Sequence, residues 1–388
     1  MWKIDYRYSN SIKNKEQVKD RHNPNTPKVK AVENGVVLPY LRERSMTYGL
    51  GGVLDSDGKY VEECSFFHVF NSSDQPDWGG EYEVDIASVH HLHETVIFAG
   101  FINNNEWGHF LTDWSSRLWY AVEHDSESRV VYCQRGMDEL LPNIKKALKY
   151  AGISEDRLLI IRETDPPIQF DEILIPDSTF SSAGFRREYL VPFHKMVKTV
   201  LKNRQDFMMY DKIYLTRTGL KPNKDFGEKE IEKYYRSNGF HVLRPESLSL
   251  EEQIFYYANC SEVASLEGTP AHNIVFSKKG VRQTILEKSQ AVNARQMMIC
   301  QCCEAQVTFV GTYPRIKFYD YYSDGPFIVG ITKKFCDYAN SRDDFQVQAK
   351  PLVSKWFCEY LRYVILRVFK RIMQITNRFF RVVKMKAT

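Results

Sequence analysis

KIYLTRTGL (212–220), EKEIEKYYRSNGFHVLRPESLSLEEQIFYYANCSEVASLEGTPAHNIVF (228–276) and RQTILEK (282–288) alternate short apolar runs with charged helical stretches. Ile213–Thr216 is rich in strand formers and breaks at Arg217-Thr218-Gly219. A charged helical stretch follows and ends at Gly239. His241–Leu243 repeats the strand, and Ser249–Tyr257 repeats the helix. Val263–Leu266 then runs into Glu267-Gly268-Thr269-Pro270 and a third expected helix. Strands alternating with helices of this length predict a parallel sheet wrapped by helices. Ligands of such sheets bind beyond the carboxyl ends of the strands, where these loops fall.

A second set of α/β elements lies upstream. Val96–Phe98 reads as a strand, Gly108–Glu123 as a helix with an aromatic face, Val130–Tyr132 as a strand and Met137–Tyr150 as a helix. Leu158–Ile161 and Ile173–Ile175 add strands, and a helix over about 187–204 leads across. The organisation expected is an N-terminal, partly β-rich segment (1–94) and an α/β domain over 95–205. A second α/β domain over 206–310, a closing segment (311–350) and a basic helix (351–388) follow. Residues 10–30 read as a loose or surface segment, and Asp55-Ser56-Asp57-Gly58 as a hairpin turn rather than a calcium loop. Two facing doubly wound domains would enclose the site in the cleft between them.

The 388 residues are 43% hydrophobic and 26% charged, which marks a globular chain. The net charge of +4 is uneven. From Pro351 onward there are nine Lys or Arg against one acid, Glu359, whereas the rest of the chain is net acidic. Basicity confined to a tail argues against a body that binds nucleic acid. In that tail Leu361, Ile365, Val368, Ile372, Ile375, Phe379 and Val383 recur at spacings of four and three and mark one helical face. Arg362, Lys370, Arg371, Arg378 and Arg381 fall largely opposite. The face suits an anionic membrane interface; a helix packed on the body with a solvated basic side is the alternative. The opening MWKIDYRYSN has no apolar signal core, and no apolar run approaches the roughly 20 residues of a membrane span. A cytoplasmic, reducing setting at the membrane face is the expectation. The eight cysteines show no disulfide or zinc spacing, and Cys300, Cys302 and Cys303 read as buried or idle thiols.

Four constellations are suited to chemistry. After Glu267, Gly268 permits close backbone approach, Thr269 suits an N-cap and Pro270 the first helical position. The amides that follow, near His272 and Asn273, would face an anion. Arg217, with Thr218 and Lys224 nearby, can grip phosphate oxygens bidentately or make an ordinary surface salt bridge. Glu246 can accept from ribose or sugar hydroxyls or cap the next helix, and Gln253 lies close to the same edge. His109 and Asp113, four apart, share a helical face. That spacing suits an imidazole base oriented by a carboxylate, and equally an ordinary surface pair.

Together these residues resemble glycosyltransferase family 61. The resemblance runs through Arg217, Gly239-Phe240, Pro245-Glu246, Leu248-Ser249, Glu252-Gln253, Gly268 and Asn273–Phe276. Upstream, Asn105–Trp114 resembles the family's Asn, Gly-His, Asp element at His109 and Asp113. It covers roughly residues 36–310 and implies a GT-B arrangement of two facing Rossmann-like domains. It also implies inverting transfer from a nucleotide sugar, expected to be UDP-linked, with no cofactor and no required metal. Two positions depart from the family pattern: Lys224 with Gly227-Glu228 stand for its second Arg and Asn-Glu, and Glu267–Pro270 for a His-Gly-Ala-Gly turn. The base is then expected among His109, Asp113 and Glu267. Donor contacts are expected from Arg217, Thr218, Lys224, Glu246, Gln253, Gly268, Thr269, Pro270, His272 and Asn273. The expected acceptor is a glycan, lipid-linked if the tail docks on membrane, in a bacterial pathway of surface polysaccharide or capsule synthesis. A nucleotide-sugar epimerase or hydrolase and a non-catalytic membrane-docked sugar-binding protein are the rival readings. The donor sugar, acceptor, linkage and oligomeric state are not legible.

Overall fold

The computed structural model describes residues 2–386 except 44, 47, 69–74, 86–88, 104–105, 137–138, 204–205, 221–224, 292 and 315–326. The side chains of 353–357 and 377–386 are likewise outside the description. Two sheets dominate. The second is wholly parallel and ordered Lys3–Asp5, Gln306–Gly311, Arg282–Glu287, Glu262–Leu266, Lys212–Leu215, His241–Leu243. Counted from Lys212, its strands run second, first, third, fourth, fifth, the flavodoxin-like order. The crevice of such a sheet opens where the order reverses, between Lys212–Leu215 and Glu262–Leu266. Arg217 and Glu267 lie just past those two strand ends.

The first sheet has seven strands. Leu158–Arg162, Arg129–Arg135, His90–Asn103 and Ile168–Pro176 are parallel neighbours. Val29–Glu33 and Val36–Leu41 run antiparallel along the far side of Ile168–Pro176, and Leu50–Leu54 extends the edge. The order among the parallel strands reverses at His90–Asn103, whose exit leads directly to His109. Both crevices are therefore served by loops that carry candidate site residues.

The strands form where the apolar alternation lies, and they are covered on both faces. Ile213, Tyr214, Ile97, Phe98, Val130 and Val131 are all fully buried. Each contributes about 1.5–3 kcal/mol relative to an exposed side chain. Ser249 caps the helix Leu250–Asn259 in a reciprocal capping box with Glu252, so Glu246 is not needed as the cap. The turn at Asp55 closes on its own chain, with Asp55 Oδ1 accepting the amides of Asp57 and Lys59.

Three features differ from the sequence reading. Gly108–Glu123 is not one helix: Trp107–His109 passes into a π turn, Phe110–Trp114, and helix resumes only at Leu118–Glu123. The helix expected after Gly268 is a single turn, Thr269–His272, that tightens into a 3-10 turn, Asn273–Phe276. With so few aligned peptides, no sizeable dipole gathers at its start. The supposedly loose 10–30 segment is anchored: Asn10, Ser11, Ile12 and Val18 are buried, and Lys15–Val18 is a short helix.

The basic tail is one helix, Val353–Lys386. Near its beginning, among the described side chains, Tyr360, Tyr363 and Val364 pack with Phe226, Tyr313 and Ile328 of the body. Beyond them Ile365, Val368, Phe369, Ile372 and Ile375 are each more than half exposed. Among the described residues no helix is long and apolar enough to cross a membrane.

Candidate active site

The π turn sets the first wall. A π turn inserts one residue into a helix and re-aims the side chains around it. Here it leaves Asp113 fully buried and His109 partly exposed, with His109 Nδ1 2.7 Å from Asp113 Oδ2. Burial pushes the Asp113 carboxyl up, but the His109 hydrogen bond and the nearby Arg295 outweigh it, and the net shift is downward. Asp113 is therefore a carboxylate and an acceptor, so Nδ1 carries the proton and donates. Nε2 points away from Asp113 and lies 3.5 Å from Glu106 Oε2; in the neutral ring it carries the lone pair. The ring is stacked on Trp114 at 5.7 Å.

Arg295 is the residue the sequence reading missed here. It lies in the helix Ala294–Cys302 and places Nη2 3.0 Å from the same Asp113 oxygen. Its 3.4 Å approach to His109 Nδ1 reflects this shared acceptor, because a protonated Nδ1 has no lone pair to offer. His68, whose ring lies 6.0 Å from that of His109, is pushed down to about 4 by burial and by Arg295. His68, His109 and Asp113 bring ligand-type atoms within 4.8 Å of one another. A guanidinium already neutralises Asp113, however, and opposes any added cation.

The second wall is built from strand ends. Arg217 donates from Nε to Asp225 Oδ2 at 2.7 Å, and its backbone amide points to the Glu228 carboxylate. Lys288, one residue beyond Arg282–Glu287, is half-buried beside this group, with Nζ 4.3 Å from the Phe327 ring centroid, and interacts electrostatically with Asp225, Arg217, Glu267 and Glu228. Burial lowers the pKa of Lys288. Burial raises both Glu228 and Glu267 to about 8. Burial thus disfavours negative charge on both carboxyls, in a group whose basic side chains are Arg217 and Lys288. That balance suits a diphosphate. Glu267 Oε2 is buried with no hydrogen-bond partner among the described residues.

The walls meet at the loop after Glu267. Gly268 has φ +129°, a conformation that favours glycine, and a side chain there would approach Lys288 Nζ to 3.7 Å. A Cβ on Gly108 would lie 2.9 Å from Thr269 Oγ1, so only glycine fits without displacing the threonine. Trp107 Nε1 donates to Asn273 Oδ1 at 3.1 Å, and Asn273 Nδ2 donates in turn to Gln253.

Other expected donor contacts have structural occupations. Gln253 Nε2 donates to the carbonyls of Pro245 and Leu248. Thr218 donates to Glu232 at 2.6 Å. The Pro270 carbonyl accepts from Tyr257, and His272 is buried against Gln296 at 2.7 Å. Burial holds the His272 ring at about 4 and hence neutral, so it is not a phosphate cation. The Glu246 carboxylate lies so close to Gly219 that a Cβ on Gly219 would strike it. Lys224 lies outside the described residues. In the tail Arg362 sits over the Phe226 ring at 5.0 Å, turned to the body; the side chains of Arg378 and Arg381 are outside the description. Cys300, Cys302 and Cys303 are buried, and burial pushes the Cys300 thiol up to about 12.

Glu267 affords a pH test. Its unfolded pKa is near 4.5 and its folded value about 8. Between these the unfolded chain binds fewer protons, so stability falls as pH rises, by up to about 3 kcal/mol at pH 7. Glu267→Gln is expected to raise Tm at pH 8 and to change it little at pH 4.5. Equal pH dependence of Tm in wild type and variant would contradict the burial argument.

No curated protein matches the chain. The family model described as Glycosyltransferase 61 matches residues 107–284, a span that opens at Trp107 beside His109 and runs past the loop that Trp107 holds. Over that span, somewhat under half of its length, the chain is similar to glycosyltransferase family 61.

Proposed function

We propose that the protein is an inverting glycosyltransferase of GT-B arrangement. In this reading the second sheet binds a nucleotide sugar and the first sheet presents the acceptor. The observation that carries the proposal is the meeting of the two crevices. A His–carboxylate pair from one sheet faces, across the Gly108–Thr269 contact, a pocket with two cations at the switch point of the other.

His109 Nε2 takes the proton of the acceptor hydroxyl as that oxygen attacks the anomeric carbon. Asp113 fixes the ring tautomer, and Arg295 keeps Asp113 ionised. The bond from the anomeric carbon to the diphosphate breaks on the opposite face. Arg217 and Lys288 take up the charge that develops on the leaving group, the part a divalent cation can also play. Glu267 is poorly placed as the base. It is mainly protonated near neutrality, and its unpartnered oxygen is buried.

Nucleoside diphosphate release from a panel of nucleotide sugars, UDP-linked ones first, tests the reading with and without glycan acceptor. Release strongly accelerated by acceptor is expected. Conversion of the donor to an epimer, or to free sugar at a rate that acceptor does not raise, would favour the rival enzyme class, and no turnover of any donor would favour a binding protein.

The tail supports a further part of the proposal: docking on the cytoplasmic, anionic face of a membrane, where a lipid-linked glycan of surface polysaccharide or capsule synthesis would be the acceptor. Its exposed apolar residues lie on a helix rich in Lys and Arg, as an interfacial helix requires. Truncation after Val364 is expected to abolish co-sedimentation with anionic vesicles and to leave Tm within a few degrees. The cut spares Tyr360, Tyr363 and Val364, which pack on the body. Unchanged vesicle binding by the truncated protein would remove this part of the proposal.

A further inference from the structure

The start of the longest strand carries a second constellation, remote from the pocket. In VHHLHET (89–95), His91 and His93 are two residues apart, so the strand pleat turns both to one side. The adjacent parallel strand supplies Asp171. His91 Nε2 lies 2.8 Å and His93 Nδ1 3.2 Å from the same Asp171 oxygen, and the two rings are 4.4 Å apart. The pairing explains the convergence. Leu92 pairs with Phe170, but the next partners are Thr95 and Glu172, so one extra residue is bulged out opposite Asp171. A bulge re-aims side chains and marks positions that do more than continue a ladder.

We propose that His91, His93 and Asp171 form a binding site for a divalent first-row metal ion, with Zn2+ as the probe. Two imidazoles and a carboxylate are donors that zinc accepts, at about 2.0–2.2 Å each. Ligand atoms on a tetrahedron of that size lie about 3.3 Å apart. The 2.8 and 3.2 Å separations are within a few tenths of that value, and all three donor atoms lie within 4.8 Å of one another. Small rotations of the exposed His93 ring accommodate the rest. In contrast to the His68, His109 and Asp113 group, no guanidinium among the described residues contacts this carboxylate. The outer side is open to solvent, which leaves room for water in the remaining coordination position. The site lies at the amino end of His90–Asn103, whereas His109 follows its carboxyl end, about 30 Å along the strand. The ion would clamp the bulge to the neighbouring strand without touching substrate.

Calorimetric titration of the full-length, chelator-treated protein with Zn2+ tests the proposal. Wild type is expected to bind one more zinc ion than His91→Ala/His93→Ala, and Asp171→Asn to weaken that ion at least tenfold. His93→Ala alone, at a side chain 79% exposed, guards against misfolding of the double variant and is expected to give the same loss. Diphosphate release by His93→Ala is expected to match wild type. Identical zinc stoichiometry and affinity in wild type and His93→Ala, or no zinc bound by wild type, would overturn the assignment.

Discussion

His109→Ala is expected to lower kcat by about 10²–10⁴-fold, the usual contribution of a positioned general base. Donor affinity should change only a few-fold, because the imidazole belongs to the first sheet and the donor pocket to the second. The effect follows from the proton arrangement around Asp113. This buried carboxylate takes a hydrogen bond from Nδ1 and an ion pair from Arg295, so Nε2 is the nitrogen that can serve as base when the ring is neutral. Slow hydrolysis of the donor by water should survive, since the pocket that stabilises the leaving diphosphate is intact. Turnover within a few-fold of wild type would dismiss His109 as the base, and Glu267→Gln would then become the decisive variant.

The second large effect belongs to the cations. Lys288→Met is expected to cost about 10²–10³-fold in kcat/KM, the loss typical of removing one well-placed charge-stabilising donor. Donor hydrolysis should fall with transfer, which separates this variant from His109→Ala. Methionine fills much of the volume of lysine without a buried charge, and a carboxyl already shifted upward, such as Glu267, can stay neutral beside it. The fold should therefore persist, which a thermal melt checks. Arg217→Ala should behave similarly, but it also frees the Asp225 carboxylate that Arg217 now holds. Normal donor hydrolysis by Lys288→Met would remove lysine from the leaving-group role.

Much of this arrangement is legible in local sequence. Short apolar runs ending in Arg217 or Glu267, each followed by polar loops, locate the strand ends of the second sheet, and their order makes those ends a crevice. His109 and Asp113 are readable from spacing alone, because a four-residue separation brings them together even through a π turn. The π turn itself leaves no local trace, since Phe110–Trp114 has the composition of ordinary helix. Arg295 is invisible for another reason: its partner lies 182 positions away, on an element of the other sheet. Lys288, by contrast, has a local signal. It directly follows Glu287, the last strand residue of RQTILEK, and so stands at a strand end where a basic side chain can meet an anion. The helix after Gly268 misled because Thr269-Pro270 is good chemistry for starting a helix, whatever its eventual length.

The pairing of Lys3–Asp5 with Gln306–Gly311 has a consequence for assembly. The first sheet draws its strands from residues 29–176, so it can be completed early in synthesis, whereas the second sheet waits for its outermost strand to be joined by residues made some 300 positions earlier. Until then the leading segment must be stored without its partner. Its arrival also sets the neighbourhood of the donor pocket, because Ser9 and the Asn10 amide hold the Glu287 carboxylate, one residue before Lys288. A fusion tag that hinders this late docking would therefore disturb the surroundings of Lys288 from a point that looks, along the chain, as far from it as any.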